Sequence, residues 1–347
     1  MKRTFLRLRF LLSSMLSLCS FILQILSYKF FGKNSSSKKA QKVFYFFGGL
    51  PSTIASKLLS SKKLEALEKS SLFESLTSSA NNGDSLKSAL DKKGFYVIEK
   101  FMNKNEISEL RDYSLNTQGA YRIQDSGTQS LIEPLKFNRQ APLAIRYDYP
   151  ASTLLINPVA QKLISNPAVL GIAQKYLNCA PILDFVTMWW HTQSLTPDKQ
   201  AAQYFHFDMD RLRWVKFFFY LTNVNGNNGP HVFIPGTHTD FGMKHKIRSK
   251  GYTRLEDEFV AEFYPRSLWK EFIAPEGTMI VEDTRGLHKG AHVEVGDRLV
   301  FQIQFTSSLF GTEEVKDNHI LSRKNLGSEL SKAILSYPET YQKITLV

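Results

Sequence analysis

The stretch Arg298-Leu-Val-Phe-Gln-Ile-Gln-Phe305 alternates without a break: Arg298, Val300, Gln302 and Gln304 fall on one parity, Leu299, Phe301, Ile303 and Phe305 on the other. Successive side chains in a strand point to opposite faces, so this segment has one wholly apolar face and one carrying an arginine and two glutamines. The apolar face must be covered by a second layer, and a buried arginine needs polar surroundings or a ligand. Such a strand therefore fits between packed helices and a lined cavity. Trp214–Leu221 divides in the same way, into Trp214, Lys216, Phe218 and Tyr220 against Val215, Phe217, Phe219 and Leu221.

Short β-branched or aromatic runs separated by Gly, Asn and Pro fill the second half of the chain, at Pro181–Thr192, Arg213–Thr222, His231–Pro235, Thr278–Asp283, Ala291–Val295 and Arg298–Ser307. Helix signals precede them. Asn103 with Glu106 forms a capping box, and Asn157-Pro158 and Asn166-Pro167 each set an N-cap residue before a proline, the second helix ending near Asn178. Phe95–Ile98 reads as an earlier strand, and residues 118–150, broken by Gly127, Pro134, Pro142 and Pro150, as irregular. Helices followed by strands predict a mainly β fold with flanking helices (α+β): a double-stranded β-helix, or cupin-like jelly-roll, with helices packed on one sheet. At 347 residues and 43% hydrophobic, the chain can bury one large core.

Within Gln203–Asp210, His206 and Asp208 are two apart and share a strand face, so both can address one point. His288 supplies a third ligand type, and Arg298 follows ten residues later. Two neutral imidazoles and one carboxylate on one face of Fe(II) leave positions open for a bidentate cosubstrate and O2. A planar, permanently charged arginine suits the distal carboxylate of a keto acid. A His-x-Asp pair alone is a weak signal; its weight comes from the other residues at this spacing.

His206-Phe-Asp208, Asn228-Gly229-Pro230, Pro235-Gly236-Thr237-His238, Gly277, His288-Lys-Gly290 and Arg298 together resemble the phytanoyl-CoA dioxygenase family of Fe(II)/2-oxoglutarate oxygenases. The resemblance is specific over residues 178–307, looser back to Gly94, and does not cover residues 1–82. It implies Fe(II) held by His206, Asp208 and His288, with 2-oxoglutarate and O2 as cosubstrates and Arg298 gripping 2-oxoglutarate. It also implies hydroxylation of a small organic or lipid-like substrate, with decarboxylation of 2-oxoglutarate to succinate. Asp208 favours hydroxylation over halogenation, since related halogenating enzymes replace this carboxylate with a small residue. Lys216, on an inner face beside the metal strand, is a candidate second contact for 2-oxoglutarate or an acidic substrate, or a snorkelling lysine at a strand end.

The net charge of +12 is localised. Residues 1–64 hold twelve of the 44 Lys and Arg and no Asp or Glu, so the other 32 basic residues match the 32 acidic ones. No recognition motif accompanies the basic excess, and nucleic acid is not an expected partner. Phe10–Ser27 is an uncharged apolar run interrupted by serines, open to five readings: a spanning helix, a signal peptide, an organelle presequence, an interfacial helix at a membrane surface through residues 1–50, or a disordered or partly helical tail. Cys19 and Cys179 suggest no disulfide framework, so an intracellular protein, cytoplasmic or membrane-associated, is expected.

Three segments follow from this: 1–82 as a basic, partly apolar N-terminal segment, 83–310 as the dioxygenase domain with its boundary in the Ser78–Gly83 linker, and 311–347 as a tail packing on it, with a helix near Ser328–Leu335. The aromatic patch Val43–Pro51 could enter an interface or dock on the enzyme, and Ser60–Leu76 has the spacing of a surface helix. Asn34 begins a formal glycosylation sequon. Tyr204, Met188 and Trp190 are candidates for the pocket or the core. Arg122, Arg139 and Arg146 lie in residues 118–150, which the resemblance implies could roof the pocket, but taken singly each reads as a solvated surface charge. His231 and His238 read as structural, and His191, His245, His292 and His319 have no assigned role. The alternative from another class is a catalytically inactive jelly-roll scaffold held at a membrane by its N-terminus.

Overall fold

Strand β11 (Asp297–Thr306) is hydrogen-bonded along both edges, to β5 (Ile182–Thr192) and to β6 (Trp214–Tyr220), and this makes it the centre of the protein. The computed structural model describes residues 2–32, 38–68, 85–124, 134–311 and 319–347. Around β11 an eight-stranded antiparallel sheet runs β1-β9-β6-β11-β5-β4-β2-β3, where β1 is Phe95–Ile98, β2 Gln118–Arg122, β3 Leu135–Lys136, β4 Arg146–Tyr149 and β9 Met279–Glu282. A three-stranded antiparallel sheet, β10-β7-β8, is built from β7 (His231–Phe233), β8 (Lys270–Phe272) and β10 (His288–Gly290). The two sheets and the covering helices form the expected jelly-roll.

The alternation of β11 and β6 is realised. Leu299, Phe301, Ile303 and Phe305 join Val215, Phe217 and Phe219 in the main core, which the helices Lys104–Asn116, Pro158–Ile164 and Pro167–Leu177 complete with Leu110, Leu163 and Leu170. The opposite face carries Val300, Phe218 and Tyr220, which meet Phe233 and Phe272 of the small sheet. All three expected N-caps form, Asn103 in a reciprocal capping box with Glu106, and the third helix stops at Asn178, whose φ of 61° is left-handed.

Two expectations fail. Residues 118–150 contain β2, β3 and β4: Pro134 and Pro150 bound strands rather than break them, and Tyr147 and Tyr149 supply the buried face. Ala291–Val295 is no strand; the ladder partner of β7 is His288–Gly290. The amides of Ala291, Glu294 and Val295 instead bond the carbonyls of Pro230 and Asn227 in the facing turn.

Helices α1 (Lys2–Phe31), α2 (Lys38–Phe47) and α3 (Leu50–Leu59) pack against this body. Leu18, Phe21, Ile25 and Tyr28 of α1, at three- and four-residue spacing, meet Leu212 and Phe310. The aromatic patch docks on the folded body: Phe44 lies 5.6 Å from Phe207, and Arg248 donates to the carbonyls of Tyr45 and Phe46. Gly48, at φ 75°, lets the backbone pass Asp240, whose carbonyl oxygen would lie 2.4 Å from any Cβ there. Of the span Ser60–Leu76, the described residues 60–68 hold a helical turn, Glu65–Glu68, with Leu67 in the main core and both backbone groups of Leu64 bonded by Gln174. The rest of that span, Asn34, Gly127 and the boundary at Ser78–Gly83 lie outside the described residues.

The C-terminal segment contains β12 (His319–Leu321), the helix Ser328–Ser336 and β13 (Ile344–Leu346). Tyr341 donates to the carbonyl of Ile164 and Lys343 pairs with buried Asp184, fixing the segment beside the start of β5. Phe301 is fully buried at the centre of the main core. Phe301→Ala should therefore lower the unfolding free energy by about 3–5 kcal/mol in urea titrations, whereas Asn166→Ala, which removes only a cap, should cost about 1 kcal/mol.

Candidate metal centre

Residues 203–208 run antiparallel to residues 284–290, and the backbones of His206 and His288 exchange both hydrogen bonds at 2.9 Å. This bridge sets the two imidazoles side by side, with ring centroids 4.2 Å apart and planes tilted by 52°. Asp208, anchored by its amide to the carbonyl of Thr284, emerges on the same face as His206. Phe205 and Phe207, of opposite parity, enter an apolar cluster with Phe44 and Leu255.

The Nδ1–H of His206 donates to the Tyr204 carbonyl at 2.9 Å and that of His288 to the Gly286 carbonyl at 3.0 Å. Each Nε2 is thereby left with its lone pair toward the carboxylate. Nε2 of His206 lies 3.8 Å and Nε2 of His288 3.6 Å from the Asp208 oxygens, and the three ligand atoms all lie within 4.8 Å of one another. Donors at bond lengths of about 2.1 Å on adjacent corners of one ion stand about 3 Å apart, so a small contraction would close the set around a metal. Burial, reinforced by His288, holds His206 well below the usual imidazole range, and burial likewise lowers His288. Both rings are thus neutral, the form that binds metal. Burial opposes ionisation of Asp208, but Lys216 and the two imidazoles outweigh it and hold the carboxyl below the usual range.

Lys216 lines the cavity with its ammonium turned to carboxylates. Its Nζ donates to Asp208 Oδ2 at 2.6 Å and lies 3.0 Å from Asp210, so it orients and charge-balances a metal-facing carboxylate. Arg298 faces the cavity, which has a volume of about 300 Å³ and also contains His206, Asp208 and His288. Its Nη1 donates to the Gly229 carbonyl, Nη2 sits 3.0 Å from His191 Nδ1, and Nε is buried with no partner among the described residues. Gly290 makes the room: a Cβ there would meet Nη2 at 2.9 Å. Desolvation lowers Arg298 only to about 10, so it stays charged at neutral pH.

Met188 and Trp190 pair with Phe301 and Leu299 and share their apolar face, so they belong to the core. The cavity side of β5 is Phe185, Thr187, Trp189 and His191. That parity was present in the sequence and puts His191 on the cavity face; the pairing of β5 with β11 sets it opposite Arg298. Tyr204 contributes its carbonyl, with its ring beside Lys199 at the surface. Arg139 pairs with Asp297 over Trp190, half exposed, as a surface charge. Arg122 and Arg146 instead line the cavity, together with Arg254, which the sequence did not single out. His238 is structural, bonded to the Asp91 carbonyl beneath Gly94, and His292 bonds Ser194.

His231 is both structural and part of the cavity wall, its ring 5.5 Å from that of His288. It meets buried Glu282, Nε2 to Oε1 3.0 Å. Desolvation pushes Glu282 up to about 8, while burial and then Arg298 push His231 down to about 3. At neutral pH a protonated carboxyl therefore donates to a neutral imidazole. In the unfolded chain a glutamate ionises near 4.3, so this site costs stability as pH rises from about 4.5 to 8. In metal-free protein Glu282→Gln, which keeps the donor, should match wild type at pH 4.5 and exceed it by roughly 2–4 kcal/mol at pH 7 in urea unfolding. Parallel pH profiles would mean that Glu282 is ionised in the fold.

No protein-family model matches the chain, and no curated protein matches it in sequence. Among solved structures it is similar to the non-heme alpha ketoglutarate dependent epimerase SnoN from nogalamycin biosynthesis, at 13% identity over 64% of this chain and 82% of that one, with a TM-score of 0.44. It is also similar to EctD from S. alaskensis with bound Fe, at 17% identity over 67% and 81% of the two chains with a TM-score of 0.47. A third is HygX from Streptomyces hygroscopicus with nickel and 2-oxoglutarate bound, at 17% identity over 67% and 88% with a TM-score of 0.43.

Proposed function

We propose that this chain is an Fe(II)/2-oxoglutarate-dependent dioxygenase of the phytanoyl-CoA dioxygenase type, with residues 83–310 as its catalytic region. The observation that carries this reading is the convergence of His206, Asp208 and His288 in a cavity whose wall holds a charged arginine with an unanswered buried N–H. The donor set fits a divalent ion that keeps open positions, and Arg298 fits the distal carboxylate of 2-oxoglutarate. Ferrous iron with 2-oxoglutarate and O2 would supply oxidative decarboxylation to succinate and hydroxylation of a small organic or lipid-like substrate. The chain's own share is positional. The carbonyls of Tyr204 and Gly286 fix the imidazole tautomers, Lys216 holds Asp208 ionised, and Trp189, Phe218 and His231 wall the site from water.

Anaerobic titration of the protein with Fe(II) and 2-oxoglutarate should raise the weak visible metal-to-ligand charge-transfer band. His206→Ala should abolish it, and Arg298→Ala should raise the 2-oxoglutarate concentration needed by tenfold or more, the loss of a charge-assisted pair being worth about 1.5–3 kcal/mol. A folded wild-type protein with no band would favour the scaffold reading instead.

The N-terminal helices support a location. Leu12–Phe31 is long and apolar enough to cross a membrane, but one stripe of α1 is packed on the enzyme body, and lipid cannot encircle a helix held in this way. Its outward face exposes Leu16, Leu23, Phe30 and Phe31, and α3 adds Leu50, Ile54 and Leu58. Exposed lysines at 29, 38, 39, 42 and 57 stand on the same three helices. The reading is an intracellular protein lying on an anionic membrane surface. Wild type should co-sediment with phosphatidylserine vesicles far more than with phosphatidylcholine vesicles, and Leu23→Glu/Phe30→Glu should stay in the supernatant. Equal partition of the two proteins would remove the surface from this reading.

A further inference from the structure

Three buried side-chain polar atoms on the cavity wall have no partner among the described residues: Trp189 Nε1, Arg254 Nη1 and Arg298 Nε. All three are N–H donors. A cavity whose unanswered groups only donate calls for a ligand that mainly accepts.

The charges agree. Of the five cationic side chains on the wall, Arg146 is answered by Asp148 in a forked pair and Lys216 by Asp208. Arg298 would be occupied by 2-oxoglutarate. Arg122 and Arg254 remain, and neither has a carboxylate within ion-pair distance among the described residues. They are anchored on adjacent residues of one loop: Arg122 Nη1 donates to Gln200 Oε1 at 2.6 Å, and Arg254 Nε donates to the Lys199 carbonyl at 2.9 Å. The nearby acids are otherwise engaged. Asp198 accepts the amides of Gln200 and Ala201, and Glu256 pairs with Lys199. Arg254 also stacks on Tyr252, which lines the same cavity, so its guanidinium plane is held.

We infer that Arg122 and Arg254 form a substrate-anchoring site for a dianionic oxyanion, a phosphate group, that holds the substrate over the metal centre. This rests on the dioxygenase reading and supplies the substrate class: a small molecule or lipid headgroup bearing phosphate. Paired guanidiniums match a phosphate through parallel N–H···O bonds, and Arg122 stands three ladder steps from Arg298, through Arg146 and His191, which leaves room for cosubstrate beside substrate.

The test uses the full chain loaded with Ni(II), which does not turn over, and 2-oxoglutarate, with phenyl phosphate as probe in calorimetric titrations. Phenyl phosphate should bind saturably and benzyl alcohol, its neutral counterpart, should not. Arg122→Gln and Arg254→Gln should each weaken binding about tenfold or more, a loss of about 1.4 kcal/mol or more. Arg139→Gln, on the surface, should not change it, and 2-oxoglutarate affinity in all three variants should stay at the wild-type value, which also reports their folding. Phenyl phosphate binding unchanged in both cavity variants, or competitive with 2-oxoglutarate, would overturn the site. Phosphate binding retained by a protein that fails to chelate 2-oxoglutarate would sustain the anion site while sinking the dioxygenase reading.

Discussion

Pairing of β11 along both edges is the constraint from which the rest of the structure follows. A strand bonded on two sides cannot slip by one residue without exchanging its faces, and here the exchange would drive Arg298, Gln302 and Gln304 into a core of Phe217, Phe219 and Leu170. The register is therefore fixed by the cost of desolvating those groups. Fixing it sets the cavity faces of β5 and β6 as well, because partners across a ladder share a face.

On that scaffold the candidate metal centre is an exercise in burying charge. Asp208 is removed from water yet kept ionised, which requires a cation beside it, and the Lys216 ammonium supplies that field. Glu282, also buried and close by, has the neutral His231 as its direct partner and no ion pair with a lysine or arginine among the described residues, so it takes the opposite course and holds its proton. Two carboxyl groups in one dry region thus adopt different states because of their immediate neighbours. Only one is suited to bind a metal.

The N-terminal helices belong to the same physical unit as the barrel's outer wall. Phe44 packs on Phe207, which lies between His206 and Asp208 on the reverse face of the metal strand. Ser56 bonds Ser307 just beyond β11. Tyr45 receives the amide of Tyr252 and the guanidinium of Arg248, so the segment carrying Tyr252 and Arg254 rests on α2. A region that composition sets apart as a basic tail is, in its second and third helices, a support for the site.

Much of this was legible locally. Period-two alternation marked the faces of β6 and β11, Asn-Pro steps marked the helix starts, and His206, Asp208, His288 and Arg298 could be named from residue type and spacing, because each such signal depends on neighbours in the chain. The prolines of residues 118–150 misled, since a proline beside a strand and one inside it look alike until the ladder is known. Tertiary structure alone decided that Lys216 serves Asp208, that His191 stands against Arg298, that Glu282 meets His231, and that Arg122 and Arg254 flank one loop at the cavity. Those outcomes depend on contacts between strands and loops far apart in sequence, and on how much water each contact excludes. Neither quantity is written in any one stretch of the chain.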